Sequence, residues 1–159
     1  MTHASYRPSS ERRRSGAGCL ILCRRTGRFL MCLRSHRAPA PHVWSVWGGR
    51  AEVDESAEET ARREVFEETG LKIDGPLEHI HDQETFGFRY DTFLCVVEEE
   101  FAPFLTPEAD GFCWSPIELV PTPMHSGLAD LLANSRAATR LERAVERISG
   151  RPCSISTAG

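Results

Sequence analysis

Three glutamates in one helix-like segment are the residues of this chain best placed to do chemistry. Glu64, Glu67 and Glu68 stand at positions i, i+3 and i+4, so an α-helix carries all three on one face. Like charges on a shared face repel one another, and Mg²⁺ or Mn²⁺, which prefer oxygen ligands, remove that repulsion. The spacing therefore predicts a divalent-metal site, with a solvated acidic helix face as the plain alternative.

Residues beside these glutamates fit the same interpretation. Glu55 precedes the helix, and Arg63 can pair with a carboxylate one helical turn away or reach one outside the helix. A charge of that kind steadies metal ligands from behind. Gly48 and Gly49 let the backbone turn sharply and approach a metal closely. We therefore take these four residues as supports of the predicted site.

The helix itself has clear start and stop signals. Ser56 is a suitable N-cap, and Glu59 follows three residues later, as in a capping box. Gly70 stands where a helix ends in a left-handed C-cap. The spacing of its apolar residues is helical. We predict a helix from Ala57 to Thr69.

The remaining elements are strands around this helix and one helical segment near the C-terminus. The first two strands form a hairpin through Thr26–Gly27, and a proline-containing loop covers residues 35–43. A helix over residues 127–148, broken near Ser135, follows a turn or short helix at 116–119. Strands are predicted at residues 16–25, 28–34, 44–47, 77–82, 86–98 and 111–115.

Length and composition favour one soluble domain over residues 16–148, between a flexible tail at 1–15 and a loose tail at 149–159. The chain has 159 residues, 40 % of them hydrophobic, and a net charge of -4, which argues against general nucleic-acid binding. No apolar run approaches the roughly 20 residues of a membrane span, and Cys19–Cys23 is too short for a signal peptide. The six cysteines form no C-x-x-C pair, so we expect reduced thiols in a cytoplasmic protein.

One longer pattern joins these residues at fixed spacing. Gly49 is followed after five residues by Glu55, and after seven more by the run Arg63-Glu64-Val65-Phe66-Glu67-Glu68-Thr69-Gly70-Leu71. The nine specified positions resemble, one for one, the signature of the Nudix hydrolase (MutT-like) family. The resemblance covers about residues 16–148. It implies an α/β protein with the Nudix fold, an α/β/α sandwich around a mixed β-sheet.

The resemblance also implies roles for the residues of the signature. Glu64, Glu67 and Glu68 are expected to bind one to three Mg²⁺ or Mn²⁺ ions, with the backbone carbonyl of Gly48 as a further ligand. Glu55, Arg63 and Gly49 are expected to support them. The metal would neutralise a diphosphate and activate the water that attacks phosphorus.

The general base is left open between two glutamates. In similar proteins it is a glutamate of the signature, here Glu64, or an acidic residue in a loop before the last strand. Glu108 fits the second description, because it lies six residues before Trp114, and it is also a candidate metal ligand. Two positions depart from common family patterns: Trp47 stands where relatives often have Pro, and Asp54 where they often have Gly.

Candidate substrate contacts are Arg34, Trp44 and Trp47. Arg34 ends the second strand and is suited to a phosphate, whereas the two tryptophans, like Phe88 and Tyr90, are suited to stacking on a base. Core packing is the alternative for each aromatic residue.

The predicted function is metal-dependent hydrolysis of a phosphoanhydride bond in a nucleoside diphosphate linked to another group. Nucleoside triphosphates, nucleotide sugars such as ADP-ribose and dinucleoside polyphosphates all fit as small-molecule partners. Two alternatives share the fold: a nucleotide-sensing module without catalysis, which usually lacks signature glutamates, and an isoprenyl diphosphate isomerase, whose active-site cysteine motif is not recognisable here. No nucleic-acid or membrane partner is expected. Homodimers are common among similar proteins, and the sequence leaves the oligomeric state open.

Overall fold

One mixed sheet accounts for the predicted strands, and helices cover both of its faces. The computed structural model describes residues 14–157. The helices are α1 (Ala57–Thr69), α2 (Ser126–Ala133) and α3 (Ser135–Ser149), with a 3₁₀ turn at Ile117–Leu119. The strands are β1 (Arg14–Cys23), β2 (Phe29–Arg34), β3 (Trp44–Ser45), β4 (Trp47–Arg50), β5 (Glu78–Thr85), β6 (Phe88–Val97) and β7 (Ala109–Ser115).

The sheet is mixed because its two longest strands run parallel. The main path is β3-β2-β1-β6-β5, while β4 pairs with β1 and β7 pairs with β2. Strand β1 is parallel to β6 over its whole length, and the other pairs are antiparallel. On the edge away from β6, the first half of β1 pairs with β4 and the second half pairs with β2.

Alternation along β1 supplies two apolar cores. Cys19 and Ile21 belong to the cluster that packs against α1, whereas Leu20 and Leu22 belong to the cluster under α2 and α3. Successive side chains of a strand point to opposite faces, so one buried strand serves both layers. The predicted α/β fold, an α/β/α sandwich around a mixed sheet, is confirmed.

Helix α1 has the bounds and caps that were predicted. The Ser56 hydroxyl accepts the Glu59 N–H at 3.2 Å, and the Glu59 carboxylate accepts the Ser56 N–H at 2.8 Å. Gly70 closes the helix with φ of 78°, a conformation that glycine adopts without strain. These caps fix the rotation of the helix and therefore the direction in which its acidic face points.

Most predicted strands have somewhat different limits in the structure; the strand predicted at 77–82, for example, continues to Thr85. Two of the differences have a clear local cause. The run at 44–47 divides at Val46 into β3 and β4, which pair with different neighbours. The run at 86–98 begins only at Phe88, because Phe86 and Gly87 have positive φ and form the tip of the β5–β6 hairpin. The dipeptide Phe-Gly does not predict this turn, since Asn-Gly is the usual sequence signal for a tight hairpin.

The break in the C-terminal helical segment is confirmed at Asn134. Its side-chain oxygen accepts the Ala137 N–H at 3.0 Å and so caps α3. Among residues 14–157, no helix is long and apolar enough to cross a membrane. All six cysteines are free, and four of them are buried.

Secondary structure is found on both sides of residues 16–148. Strand β1 already includes Arg14 and Ser15, while residues 1–13 of the predicted N-terminal tail and 158–159 of the C-terminal one lie outside the described residues. Helix α3 continues to Ser149. After it, the Ile155 N–H donates to Glu142 at 2.7 Å, so this irregular segment contacts α3. The division into one domain and two tails stays a prediction.

Candidate functional site

Helix α1 lies with its acidic face against the glycine pair of β4. A Cβ atom at Gly49 would come within 2.5 Å of the Glu64 carboxyl carbon, so only glycine leaves room for that carboxylate. The Gly48 N–H donates to the Glu68 carboxylate at 2.9 Å. Two of the three predicted ligands are therefore held in place by backbone atoms of β4.

Arg63 joins the supporting residues to the ligands. Its guanidinium donates to Glu55 at 2.8 and 3.0 Å, to Glu64 at 2.8 Å and to Glu67 at 3.1 Å. A further hydrogen bond of 2.9 Å reaches the Arg50 carbonyl on β4. This one side chain thus ties the start of the helix, two of the three ligands and the strand together.

The carboxylates of the cluster differ in their pKa values. Burial, together with the nearby charge of Glu64, raises the pKa of Glu68 to about 8. Burial also raises the pKa of Glu64. Glu55 is the opposite case, because hydrogen bonds from Arg63 lower its pKa to about 2. Neighbouring carboxylates whose pKa values are raised by burial are a donor set that a hard divalent cation would stabilise.

The three ligands face one large cleft. Its volume is about 1140 Å³. Gly48, Gly49 and the three glutamates of α1 line it together with side chains of β5, β6 and α2. A space of this size accommodates a nucleotide-sized ligand.

Glu108 also lies in the cleft, directly before β7. Its negative charge contributes to the raised pKa of Glu68, so the two carboxylates are close neighbours. Its backbone carbonyl accepts the Ser35 N–H at 2.9 Å. No side-chain hydrogen bond or ion pair of Glu108 is found within residues 14–157, which leaves its carboxylate available to the cleft.

The predicted substrate contacts fare differently. Arg34 lines the cleft, with its guanidinium donating to the carbonyls of Pro39 and Ala40. Trp47 borders the cleft but is fully buried, and it donates its indole N–H to the Leu30 carbonyl at 3.0 Å. Trp44 packs against the α2–α3 core cluster and does not line the cleft. The substrate roles of all three residues stay predictions.

Two polar atoms without a hydrogen-bond partner lie in the cleft wall, and the sequence did not predict them. Ser45 Oγ and Gln83 Oε1 are buried without a hydrogen-bond partner. Gln83 reaches the cleft because a bulge between His79 and His81 shifts the register, which sets Gln83 opposite Tyr90. A β-bulge has no fixed sequence signal, so this side chain could be found only in the structure.

A second group of metal-ligand atoms lies outside the cleft. The side chains of His79, Asp82 and Asp91 bring three such atoms within 4.8 Å of one another, a closeness reached by no other set in the described part of the chain. Arg89, however, already pairs with Asp91 at 3.0 Å and with Asp82 at 3.6 Å. Its charge serves there in place of a cation, whereas the glutamates of α1 have an open cleft before them.

Comparison with known proteins places this geometry in context. The family model described as "NUDIX domain" matches residues 12–135. Dihydroneopterin triphosphate diphosphatase of Haemophilus influenzae is 32 % identical over 113 residues, which make up 60 % of this chain and 69 % of that protein.

Solved structures show the same fold. RenU, a Nudix hydrolase from M. smegmatis, has a TM-score of 0.64 at 20 % identity and covers 89 % of each chain. The dihydroneopterin triphosphate pyrophosphohydrolase of E. coli has a TM-score of 0.57 at 20 % identity, over 85 % of this chain and 94 % of that one. At such identities the likeness concerns the fold alone.

Proposed function

The chain belongs to the NUDIX domain family and is a Nudix pyrophosphohydrolase, and from that premise we propose that it hydrolyses nucleotide-like substrates with Mg²⁺ or Mn²⁺. One observation carries the proposal: Glu64 and Glu68 contact the backbone of Gly48–Gly49 in a cleft of nucleotide size. Acidic side chains placed on glycine backbone, with pKa values raised by burial, suit a metal–diphosphate complex.

The ligands of the metal would be Glu64, Glu67 and Glu68, with the Gly48 carbonyl and Glu108 as further candidates. A bound divalent ion would neutralise the diphosphate and lower the pKa of water. Arg63 and Glu55 act behind these ligands, because the Arg63 guanidinium orients Glu64 and Glu67 while Glu55 fixes the guanidinium itself.

For the general base we favour Glu108 over Glu64. One oxygen of Glu64 already accepts a hydrogen bond from Arg63, and its carboxyl group is packed over Gly49. Glu108 is exposed at the edge of the cleft and near Glu68, so it can take a proton from an attacking water. Arg34, on the same side of the cleft, is suited to a phosphate oxygen.

The substrate is proposed to be a heterocyclic compound linked to a diphosphate or a longer phosphate chain. Dihydroneopterin triphosphate is the first candidate, because the relative at 32 % identity is named for its hydrolysis. Nucleoside triphosphates, ADP-ribose and dinucleoside polyphosphates complete the set, since each contains a phosphoanhydride that the same cluster can cleave.

A substrate panel tests the proposal. The purified protein is incubated with each compound and Mg²⁺ or Mn²⁺, and the release of pyrophosphate, phosphate and monophosphates is quantified. We expect Glu67→Gln and Glu68→Gln to lower kcat by more than the roughly 10–100-fold that outer partners of a metal site usually contribute. Glu58→Gln, on the same helix but outside the cleft, is the matched control and is expected to have wild-type activity. The proposal fails if no compound is turned over, or if neutralising all three glutamates leaves turnover intact.

A further inference from the structure

Three glycines make room for one tyrosine beside the glutamate cluster. A Cβ atom at Gly18 or Gly48 would collide with the phenolic oxygen of Tyr90, and one at Gly16 would lie 3.1 Å from its ring. Tyr90 is on β6, and its Cα partner on the parallel strand β1 is Gly16. Backbone atoms of β1 and β4 therefore form a slot for this hydroxyl, which we call the Tyr90 slot.

The hydroxyl in the Tyr90 slot has no partner within residues 14–157. Tyr90 is half-buried and lines the cleft, and no hydrogen bond from its oxygen to those residues is found. Its oxygen is also not among the fully buried unpaired atoms, in contrast to Gln83 Oε1. It is thus reachable from the cleft, in a place where a phenylalanine would fill the same ring space.

The Tyr90 hydroxyl keeps its proton at physiological pH. Burial raises its pKa, and the neighbouring charges of Glu68 and Glu64 act in the same direction. A neutral phenol beside carboxylates can donate one hydrogen bond. The Tyr90 slot adjoins Gly48, whose N–H holds Glu68, so an acceptor bound there must lie next to the candidate metal ligands.

We propose that the Tyr90 hydroxyl donates a hydrogen bond to a non-bridging phosphate oxygen of the substrate's diphosphate. This role rests on the proposed function of the cleft, and it makes Tyr90 a substrate-contacting residue outside the glutamate signature. A phosphate oxygen is the acceptor expected at this end of the cleft, because the proposed metal ligands would hold the diphosphate there. Hydrogen bonds to charged oxygens are also stronger than those to neutral ones.

The test compares the wild type with Tyr90→Phe, which removes the hydroxyl and keeps the ring. The probe is methylenediphosphonate, whose P–C–P bridge cannot be hydrolysed, titrated calorimetrically in saturating Mg²⁺. We expect Tyr90→Phe to weaken its binding about tenfold or more, the effect of losing one hydrogen bond to a charged group. Binding of Mn²⁺ alone, followed by electron paramagnetic resonance, is expected to be unchanged, as is the Tm.

Thr85→Val is the matched control, because it removes a hydroxyl from another residue that lines the cleft, at the end of β5. It should bind the diphosphonate like the wild type. Equal binding by Tyr90→Phe and the wild type would overturn the proposal. A parallel loss of Mn²⁺ affinity would also overturn it, because Tyr90 would then act on the metal ligands. If no substrate of the panel is hydrolysed, the proposed function fails while the diphosphonate titration still gives its own answer.

Discussion

At the scale of single residues, Arg63 shows how one side chain can organise a site without lying at its centre. It contacts three carboxylates and one backbone carbonyl. A guanidinium is suited to this because it offers five N–H donors in a fixed plane, whereas an ammonium group offers three on a flexible stem. The position next to Glu64 in the sequence therefore requires arginine in particular, and not merely a positive charge.

Arg63→Lys is expected to weaken the metal site while leaving the fold intact. A lysine cannot reach Glu55, Glu64 and Arg50 O together, so the ligands lose their orientation. We expect the Mg²⁺ concentration for half-maximal activity to rise about 10–100-fold. Arg62→Lys is the matched control, since Arg62 pairs with Glu58 and the Ile73 carbonyl, away from the cleft. Equal metal requirements in the two variants would contradict the role given to Arg63.

At the scale of elements, the site depends on how closely β4 approaches β1 and α1. Gly48 and Gly49 are the Cα partners of Gly18 and Ala17 on β1. The absence of side chains here lets α1 pack closely on this strand of the sheet, so that Glu64 and Glu68 rest on its backbone. A helix and a strand thus position the ligands jointly.

Gly49→Ala is expected to abolish activity without unfolding the protein. The added methyl would collide with the carboxyl end of Glu64, a flexible group that can swing away from the cleft. We expect turnover as low as in Glu64→Gln, with a Tm within a few degrees of the wild type. Gly111→Ala serves as the control, because a Cβ at that strand position meets no atom within 4 Å. Normal turnover by Gly49→Ala would show that Glu64 does not need its place over the strand.

Local sequence signals predicted the helices and strands well. They did not predict which side chains of distant strands are buried or line the cleft. Helix α1 was placed correctly because capping and periodicity depend on a few neighbouring residues. Its glutamates share a face for the same reason. The positions of Trp47 and Gln83 depend on partners distant in the sequence: Trp47 is buried by the packing of β4, and Gln83 is turned by a bulge. Such effects arise only when strands pair, so short-range patterns do not contain them.

At the scale of the whole molecule, the proposed metal site would link metal binding, protonation and stability. The pKa of Glu68 is raised to about 8 from an ordinary value of 4.5, so the folded protein binds a proton more tightly than the unfolded chain does. The associated stability is fully present below the ordinary pKa and is lost as pH rises through about 8. Glu55, with a pKa of about 2, stays ionised throughout this range.

The expected result is a metal-free protein whose Tm falls between about pH 5.5 and pH 8.5. Mg²⁺ should restore the Tm most strongly at the higher pH, because its carboxylate ligands are already ionised there. At lower pH, Mg²⁺ binding must first displace protons from these ligands. Differential scanning fluorimetry with and without Mg²⁺ measures both effects. Glu68→Gln should flatten the pH profile, while Glu58→Gln should not. If Glu68→Gln retained the wild-type slope, other groups would be responsible for it.

The glycines shared by β1 and β4 have a consequence for how such a protein can change over generations. Glu64 and Glu68 rest on glycine backbone of β4, which has no side chain that a mutation could exchange for another. The cleft residues on β5 and α2 have side chains that can be replaced one at a time. New specificities can therefore be selected on β5 and α2 while the glycines keep the reaction constant. In a saturation-mutagenesis library scored for activity, we expect substitutions at four neighbouring glycines to be the least tolerated, although none contributes a side chain to the chemistry. They are Gly16, Gly18, Gly48 and Gly49.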